Sequence, residues 1–471
     1  MLPLLLFGAV FYVITLGINY SWLAWLIIAT APSALILPGL PGRPFMWEAG
    51  AMAAWCSLIV LFALRREKLR EIADRDLRRA LLCLGFYVAT LLLVMSVRGV
   101  GFRVFGGAQM GGRFYVQQLV LSVLPLLLAV VPWTERHLLR AVFASIALSG
   151  TYLVSDLALI RGGGVADILL RFLEVPTDAI NFYVGYEFTG VRRFQSFAIV
   201  SDLALMGFLM LVPLRSLAGR WSFVLLPLLL GLAALGLASG HRTIFVIAAV
   251  MVAILGVFQR IYTPGRLLVI LCLMTVLTAG LYRFADRLPL GMQRAVSFLP
   301  GIEVSAVAAN DAQATIRDRV EALKLGLRDA PEYFLVGRGF GMERLDKRHV
   351  GAFDDAILIA YENGYFDNGL LGLLLKLGLF GLAAALAFLF FVTKAALRCA
   401  RLASARGHGE QDIFDRYCQV IAAKWCATVI FFLLIRGDAN TFMQAFALSS
   451  SVVFLCLRLQ ERRAATATSA P

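Results

Sequence analysis

Asn310-Asp-Ala-Gln-Ala-Thr-Ile-Arg-Asp-Arg-Val-Glu-Ala-Leu-Lys-Leu-Gly-Leu-Arg328 is a polar, helix-forming run in a chain that is otherwise mostly apolar. Ile316, Val320, Leu323 and Leu327 recur at helical spacing, and Arg317, Lys324 and Arg328 share another face. Asn310 or Asp311 can cap the helix, and Pro331 ends it. The run is the centre of Tyr282–Asp367, the only long segment poor in apolar stretches; ten precede it and three follow. That segment holds 11 of the 44 Lys+Arg and 13 of the 30 Asp+Glu, so its charges nearly cancel. Long polar connections are where function concentrates, on residues that the flanking elements position. The expected fold is all-α: a polytopic transmembrane helix bundle of 12–13 spans with one large, partly helical extracytoplasmic loop.

Working outward, the composition agrees. Of 471 residues, 60% are apolar and 16% charged, and the mean hydropathy is +0.81. Soluble domains are nearer 25% charged, and a span needs about 20 apolar residues. Spans are expected near 2–18, 20–38, 47–64, 80–97, 116–132, 139–158, 196–214, 221–239, 243–258, 267–281, 368–393, 418–435 and 440–457. This divides the chain into transmembrane helices with short loops (1–281), the large loop (282–367), C-terminal transmembrane helices (368–457) and a cytoplasmic tail (458–471). No charged n-region of a cleaved signal precedes Arg43.

One set of alternate short connections, with the tail, carries 21 Lys+Arg and the other set 10. The positive-inside rule puts the first set in the cytoplasm and the long loop outside. The net charge of +14 comes mainly from those cytoplasmic connections, which meet anionic lipid, so no nucleic-acid partner is implied. The seven cysteines lie in expected spans or cytoplasmic connections, and the four histidines are scattered. No disulfide and no metal site is expected.

Several polar positions stand at expected outer ends of spans. Arg98–Arg113 carries three arginines, two phenylalanines and six glycines. The plainer reading is a flexible interfacial loop; the other is a glycine backbone that a phosphate can approach. Gly185-Tyr-Glu-Phe-Thr-Gly-Val-Arg-Arg-Phe-Gln-Ser196 sets Arg192 and Arg193 at a boundary, with Asp202 about two turns further in. Ionisable groups inside a span are functional by default. Ala238-Ser-Gly-His-Arg-Thr243 puts His241 and Arg242 at a helix start, where the free N–H groups already favour an anion.

Within the long loop, Phe334-Leu-Val-Gly-Arg-Gly-Phe-Gly-Met342 is a glycine-punctuated turn around Arg338. It is no dinucleotide fingerprint, which requires a βαβ unit. Asp354, Asp355 and Glu362 follow. Tyr365-Phe-Asp-Asn-Gly-Leu-Leu-Gly-Leu-Leu-Leu-Lys-Leu-Gly-Leu-Phe-Gly381 opens the next span. Asp367 is read as a cap or as a base, Asn368 as a cap, and Lys376 as a group able to neutralise a buried acid.

From Phe182 to Phe390 the chain resembles the bacterial O-antigen polymerase and O-antigen ligase family. The likeness rests on Arg192-Arg-Phe-Gln-Ser, Ser239-Gly-His-Arg-Thr, Leu335-Val-Gly-Arg-Gly-Phe-Gly and Asp367-Asn-Gly-Leu-Leu-Gly with Leu377-Gly-Leu-Phe-Gly, in that order around one loop. The resemblance implies a metal-independent, cofactor-free glycosyltransferase in the bacterial inner membrane with a periplasmic loop. The donor would be a glycan on undecaprenyl diphosphate, the acceptor a second glycan, and a chain-length regulator a further partner. Ligases of the family place a histidine where Asp367 stands, which favours the polymerase. Arg192, Arg193 and Arg242 would hold the departing diphosphate, with Arg317 or Arg338. Asp367 would be the base, ahead of Asp354 and Glu362, and His241 and Asp202 would line the site. The alternatives are an O-antigen ligase acting on lipid A core or protein, and a polysaccharide or lipid-linked-sugar exporter.

Overall fold

A computed structural model describes residues 31, 33–38, 43–64, 74–100, 112–130, 133–173, 195–218, 220, 222–340, 366, 368–406 and 411–469. The described residues are helical, with one isolated bridge between Ile36 and Phe45 and no strand. The helices are α1 (Met46–Leu64), α2 (Arg75–Arg98), α3 (Arg113–Leu121), α4 (Val123–Val130), α5 (Glu135–Arg161), α6 (Gly164–Leu169), α7 (Gln195–Leu211) and α8 (Ser222–Ala238). There follow α9 (Arg242–Phe258), α10 (Pro264–Phe284), α11 (Leu290–Val296), α12 (Ala306–Asp329), α13 (Gly369–Ala405), α14 (Ile413–Leu434) and α15 (Phe442–Ser469).

Six helical stretches among the described residues are long and apolar enough to cross a membrane: Arg75–Arg98, Glu135–Arg161, Pro264–Arg287, Gly369–Ala405, Ile413–Leu434 and Ala439–Thr466. Four shorter apolar ones, Arg113–Leu127, Ser196–Leu211, Ser222–Ala238 and Arg242–Phe258, coincide with further expected spans. The first expected span, and most of the second, lie outside the described residues. The expected span 116–132 is interrupted at Ser122 between α3 and α4. Pro125 explains this: its ring clashes with the carbonyl four residues back, that of Leu121, where α3 ends. The tail expected from residue 458 is the last turns of α15. On α10, Leu268, Leu271 and Val276 are all more than half exposed, an apolar surface of the kind that lipid covers without penalty.

Two compact units divide the chain: Met1–Leu148 with Ala322–Leu402 and Val429–Pro471, and Ser149–Glu321 with Ala403–Thr428. In the first, polar side chains substitute for what lipid cannot give. The Glu48 carboxylate, at the start of α1, accepts from Arg113 Nε at 3.0 Å and Nη2 at 2.6 Å, from Gln117 Nε2 at 2.8 Å, and from the Phe45 N–H at 2.8 Å. All three side chains are buried. Tyr87 Oη donates to Gln118 Oε1 at 2.6 Å, and Gln118 Nε2 donates to the carbonyls of Ala439 and Asn440. Beside it, Phe442 packs against Tyr87, Phe432 and Phe446. At the start of α2, Asp74 caps the helix through Leu77 N, and Arg398 and Lys394 of α13 pair with Asp74 and Asp76.

In the second unit the helices also meet through polar contacts. Asp156 of α5 accepts from the Ser196 N–H at the start of α7, a cap supplied from a distant part of the chain. Ser201 donates to the Leu232 carbonyl, and Gly236 leaves the room its hydroxyl needs, since a Cβ there would stand 2.9 Å from Ser201 Oγ.

The buried Glu48–Arg113 pair yields a stability prediction. Glu48→Ala leaves an uncompensated buried guanidinium and is expected to cost about 3–5 kcal/mol. Loss of the more exposed Glu135 partner of Arg463 through Glu135→Ala is expected to cost under about 1 kcal/mol. Thermal unfolding of the detergent-solubilised protein measures both; equal shifts contradict the burial argument.

Candidate functional site

The turn after α8 carries the first cluster, in the second unit. Gly240 takes φ of +73°, so the chain reverses there and α9 starts at Arg242. His241 is extended, at φ −97°, with no side-chain cap bond; its N–H donates to Ser239 Oγ at 3.1 Å. The Arg242 guanidinium is half-buried and donates from Nη2 to the Ala312 carbonyl at 3.3 Å.

The group that organises this cluster is Arg294, on α11. Its side chain is buried. Nη1 donates to the Gly240 carbonyl at 2.8 Å, Nη2 to Thr315 Oγ1 at 3.0 Å, and Nε pairs with the Asp311 carboxylate. One guanidinium thus fixes the turn before α9 against the first turns of α12. Arg294 was not singled out from sequence, because nothing in Leu290–Val296 distinguishes a buried arginine from a solvated one.

The start of α12 corrects the expected capping. The helix begins at Ala306, not near Asn310. Ser305 is the cap: its Oγ accepts from Ala308 N at 3.3 Å, while its own N–H is held by Gln293 Oε1 at 2.8 Å. Serine caps as well as Asn or Asp. Asp311, beside a buried guanidinium, gains more from the charge-assisted pair than from one cap bond.

Asp202, on α7, forms an ion pair with Lys424 of α14. The intramembrane acid therefore already has a cation. Arg317 is on the outward face of α12, its side chain 64% exposed and 3.7 Å from Asp318. A helix turns 100° per residue, which sets Arg317 away from the face bearing Asp311 and Thr315.

Arg338 belongs to the second cluster, in the first unit. Asn368 Oδ1 accepts from Leu371 N at 3.0 Å and caps α13 as its sequence predicts. Ten residues on, Gly378 adopts φ 71°, ψ −174°, and the helix breaks before continuing to Ala405. At the break, residues 334–340 bond to the backbone of Leu375, Lys376 and Leu379. Arg338 N donates to Leu375 O at 2.7 Å, Gly339 N to Lys376 O at 3.0 Å, and Leu379 N to Phe334 O at 2.7 Å.

Such close backbone approach is why glycines recur here. A Cβ on Gly337 would stand 2.3 Å from the Lys376 carbonyl carbon, and one on Gly378 2.2 Å from Leu335 O. Gly339 has φ +81°, and a Cβ there would stand 2.1 Å from Tyr115 Oη. The Gly-Arg-Gly turn is thus a backbone dock for a broken helix. Three cations surround it. Arg98 donates to Gly337 O at 3.1 Å and Val336 O at 3.3 Å, and its guanidinium covers the Tyr333 ring. Arg338 covers the Phe366 ring at 5.4 Å. The fully buried Lys376 places Nζ 5.6 Å from the centre of the Phe340 ring. Tyr115 closes the arrangement, accepting from Phe340 N at 3.0 Å. Of the glycine-rich run Arg98–Arg113, its first residue thus serves this dock and its last the buried pair with Glu48.

Arg192, Arg193, Asp354, Glu362 and Asp367 lie outside the described residues. The described candidates fall into two groups: Arg242, His241, Arg317 and Asp202 in one unit, Arg338 in the other. Fold and site together define an all-α polytopic membrane protein whose polar segment carries a basic cluster in each unit. No family model matches the chain, and no curated protein matches it.

Two variants test the dock. Gly378→Ala forces an L side chain into positive φ and against a carbonyl, so a loss exceeding about 1 kcal/mol is expected, with faster hydrogen exchange at residues 334–340. Gly85→Ala, inside α2 with nothing within 4 Å of its Cβ, is expected to be neutral or stabilising by about 0.5–1 kcal/mol. Unchanged exchange at 334–340 in the Gly378 variant contradicts the docking.

Proposed function

We propose that this chain is a glycosyltransferase that joins lipid-diphosphate-linked oligosaccharides into a longer polymer at the outer face of a bacterial inner membrane. The observation that carries the reading is the ordered set of motifs around one polar segment; in two of them, Arg338 and Gly339 of Leu335-Val-Gly-Arg-Gly-Phe-Gly bond through the backbone to Leu375 and Lys376, just ahead of Leu377-Gly-Leu-Phe-Gly, and Leu379 of the latter bonds to Phe334, just ahead of the former. Basic side chains at helix ends, where free N–H groups add positive potential, suit a diphosphate leaving group.

In the proposed reaction an acceptor sugar hydroxyl oxygen attacks the anomeric carbon of the donor. The bond from that carbon to the diphosphate oxygen breaks, and the hydroxyl proton passes to Asp367. Arg192, Arg193 and Arg242 neutralise the charge that develops on the departing diphosphate. The prenyl tail stays in lipid beside the spans. One in-line displacement inverts the anomeric centre. No metal takes part in this scheme.

The break at Gly378 favours a second reading, since interrupted helices recur in transporters, where they line the substrate path. Under it the chain would move a lipid-linked sugar and make no bond.

Purified protein in proteoliposomes with lipid-linked repeats separates the two. Chain lengthening is expected, and movement of lipid without lengthening refutes the transferase. Arg242→Ala and Arg192→Ala are each expected to lower turnover by about 100-fold or more. Asp367→Asn is expected to retain donor binding and lose about 100- to 10,000-fold in transfer. Unaltered polymer length with either arginine variant defeats the diphosphate role. Product found on lipid A core instead of on lengthened lipid-linked chains makes the chain a ligase.

A further inference from the structure

Helix α12 packs in an inverted way. Its buried side chains are small: Ala308, Ala312 and Ala322 are 0–3% exposed. Three of its large apolar side chains face out: Ile316 is 49% exposed, Val320 43% and Leu327 57%, while Leu323, at the edge of the same stripe, is half-buried against Phe366, Leu371 and Leu375. A helix that packs on a protein core buries its large apolar residues and exposes its polar ones. The outward stripe therefore has an apolar phase to meet.

Its neighbours say which phase. Residues 316, 320, 323 and 327 fall on one narrow stripe at 100° per residue. Arg317, Lys324 and Arg328 run parallel to it, about a quarter-turn round the helix, and all three are exposed. Their carboxylate neighbours Asp318 and Asp329 fall further round, on the far side from the stripe. An apolar stripe edged by a basic row is the signature of a helix lying flat at a lipid–water boundary. The helix is too charged to cross a membrane and is not among the candidate spans.

We propose that α12 rests on an anionic lipid surface, its stripe among the upper acyl segments and its basic row on the headgroup phosphates. The assignment does not depend on the transferase reading. It makes the polar segment a peripheral membrane element as well as a connection between spans, anchored at one edge by Arg294 and at the other by lipid.

Fluorescence quenching in the full-length protein tests it. With the exposed Cys56 and Cys272 replaced by serine, an environment-sensitive label is attached at Val320→Cys or, on the opposite face, at Asp318→Cys. The protein is reconstituted in phosphatidylcholine–phosphatidylglycerol vesicles containing doxyl-labelled lipid. Quenching at position 320 is expected to exceed that at 318 by about threefold or more. It is expected to fall by about half or more in phosphatidylcholine alone, and in the combined Arg317→Gln, Lys324→Gln, Arg328→Gln variant. Equal quenching at the two positions overturns the proposal. So does a label at 320 shielded from both the lipid quencher and aqueous iodide, which would mean that a protein surface covers the stripe. Quenching at 320 that survives removal of the three cations overturns the anionic surface.

Discussion

The constraint that shapes this chain is the intolerance of a lipid-embedded backbone for unpaired N–H and C=O groups. Most helices meet it by internal bonding. Helix α13 does not, because Gly378 breaks it, and the chain repairs the break with residues from the polar segment before it. The repair requires two backbones to come together with no side chain between them, so Gly337, Gly339 and Gly378 are all needed. It also requires the free carbonyls of the docking turn to be bonded, which Arg98 does at Gly337 and Val336. The side chain between the glycines, Arg338, is thereby held in one place against Phe366.

Charge is handled by the same logic. Among the described residues, each deeply buried cation has a named acceptor or an aromatic face: Arg113 has Glu48, Arg294 has Asp311 and a carbonyl, and Lys376 has the Phe340 ring. These pairs contribute more to uniqueness of packing than to net stability, since desolvation offsets most of the Coulomb gain. What they do decide is which segments touch. Arg294, in a segment whose charges otherwise nearly cancel, ties the turn at Gly240 to the first turns of α12.

Sequence reading did well where one residue's environment is its neighbours in the chain. Asn368 as a cap follows from its place before a leucine run, and the structure keeps it. The helix over 310–328 was legible from its stripe, though it starts earlier, at Ala306. The cap was missed because Ser305 is held by Gln293, a contact that no local pattern announces. The interruption at Pro125 was legible in principle and hidden by the apolar run around it. The partner of Asp202 is Lys424, 222 positions away.

Hydropathy and helical period by themselves determined that this is an all-α membrane protein and where most of its described helices run. Both are local quantities: they sum the transfer free energy of consecutive side chains, and consecutive side chains share an element. Only the tertiary structure decided that the Gly-Arg-Gly turn mends a broken helix, that Arg294 organises the first cluster, and that α12 leaves Ile316, Val320 and Leu327 exposed. Those outcomes depend on which distant groups can pair once water is excluded, and no window of sequence contains both partners.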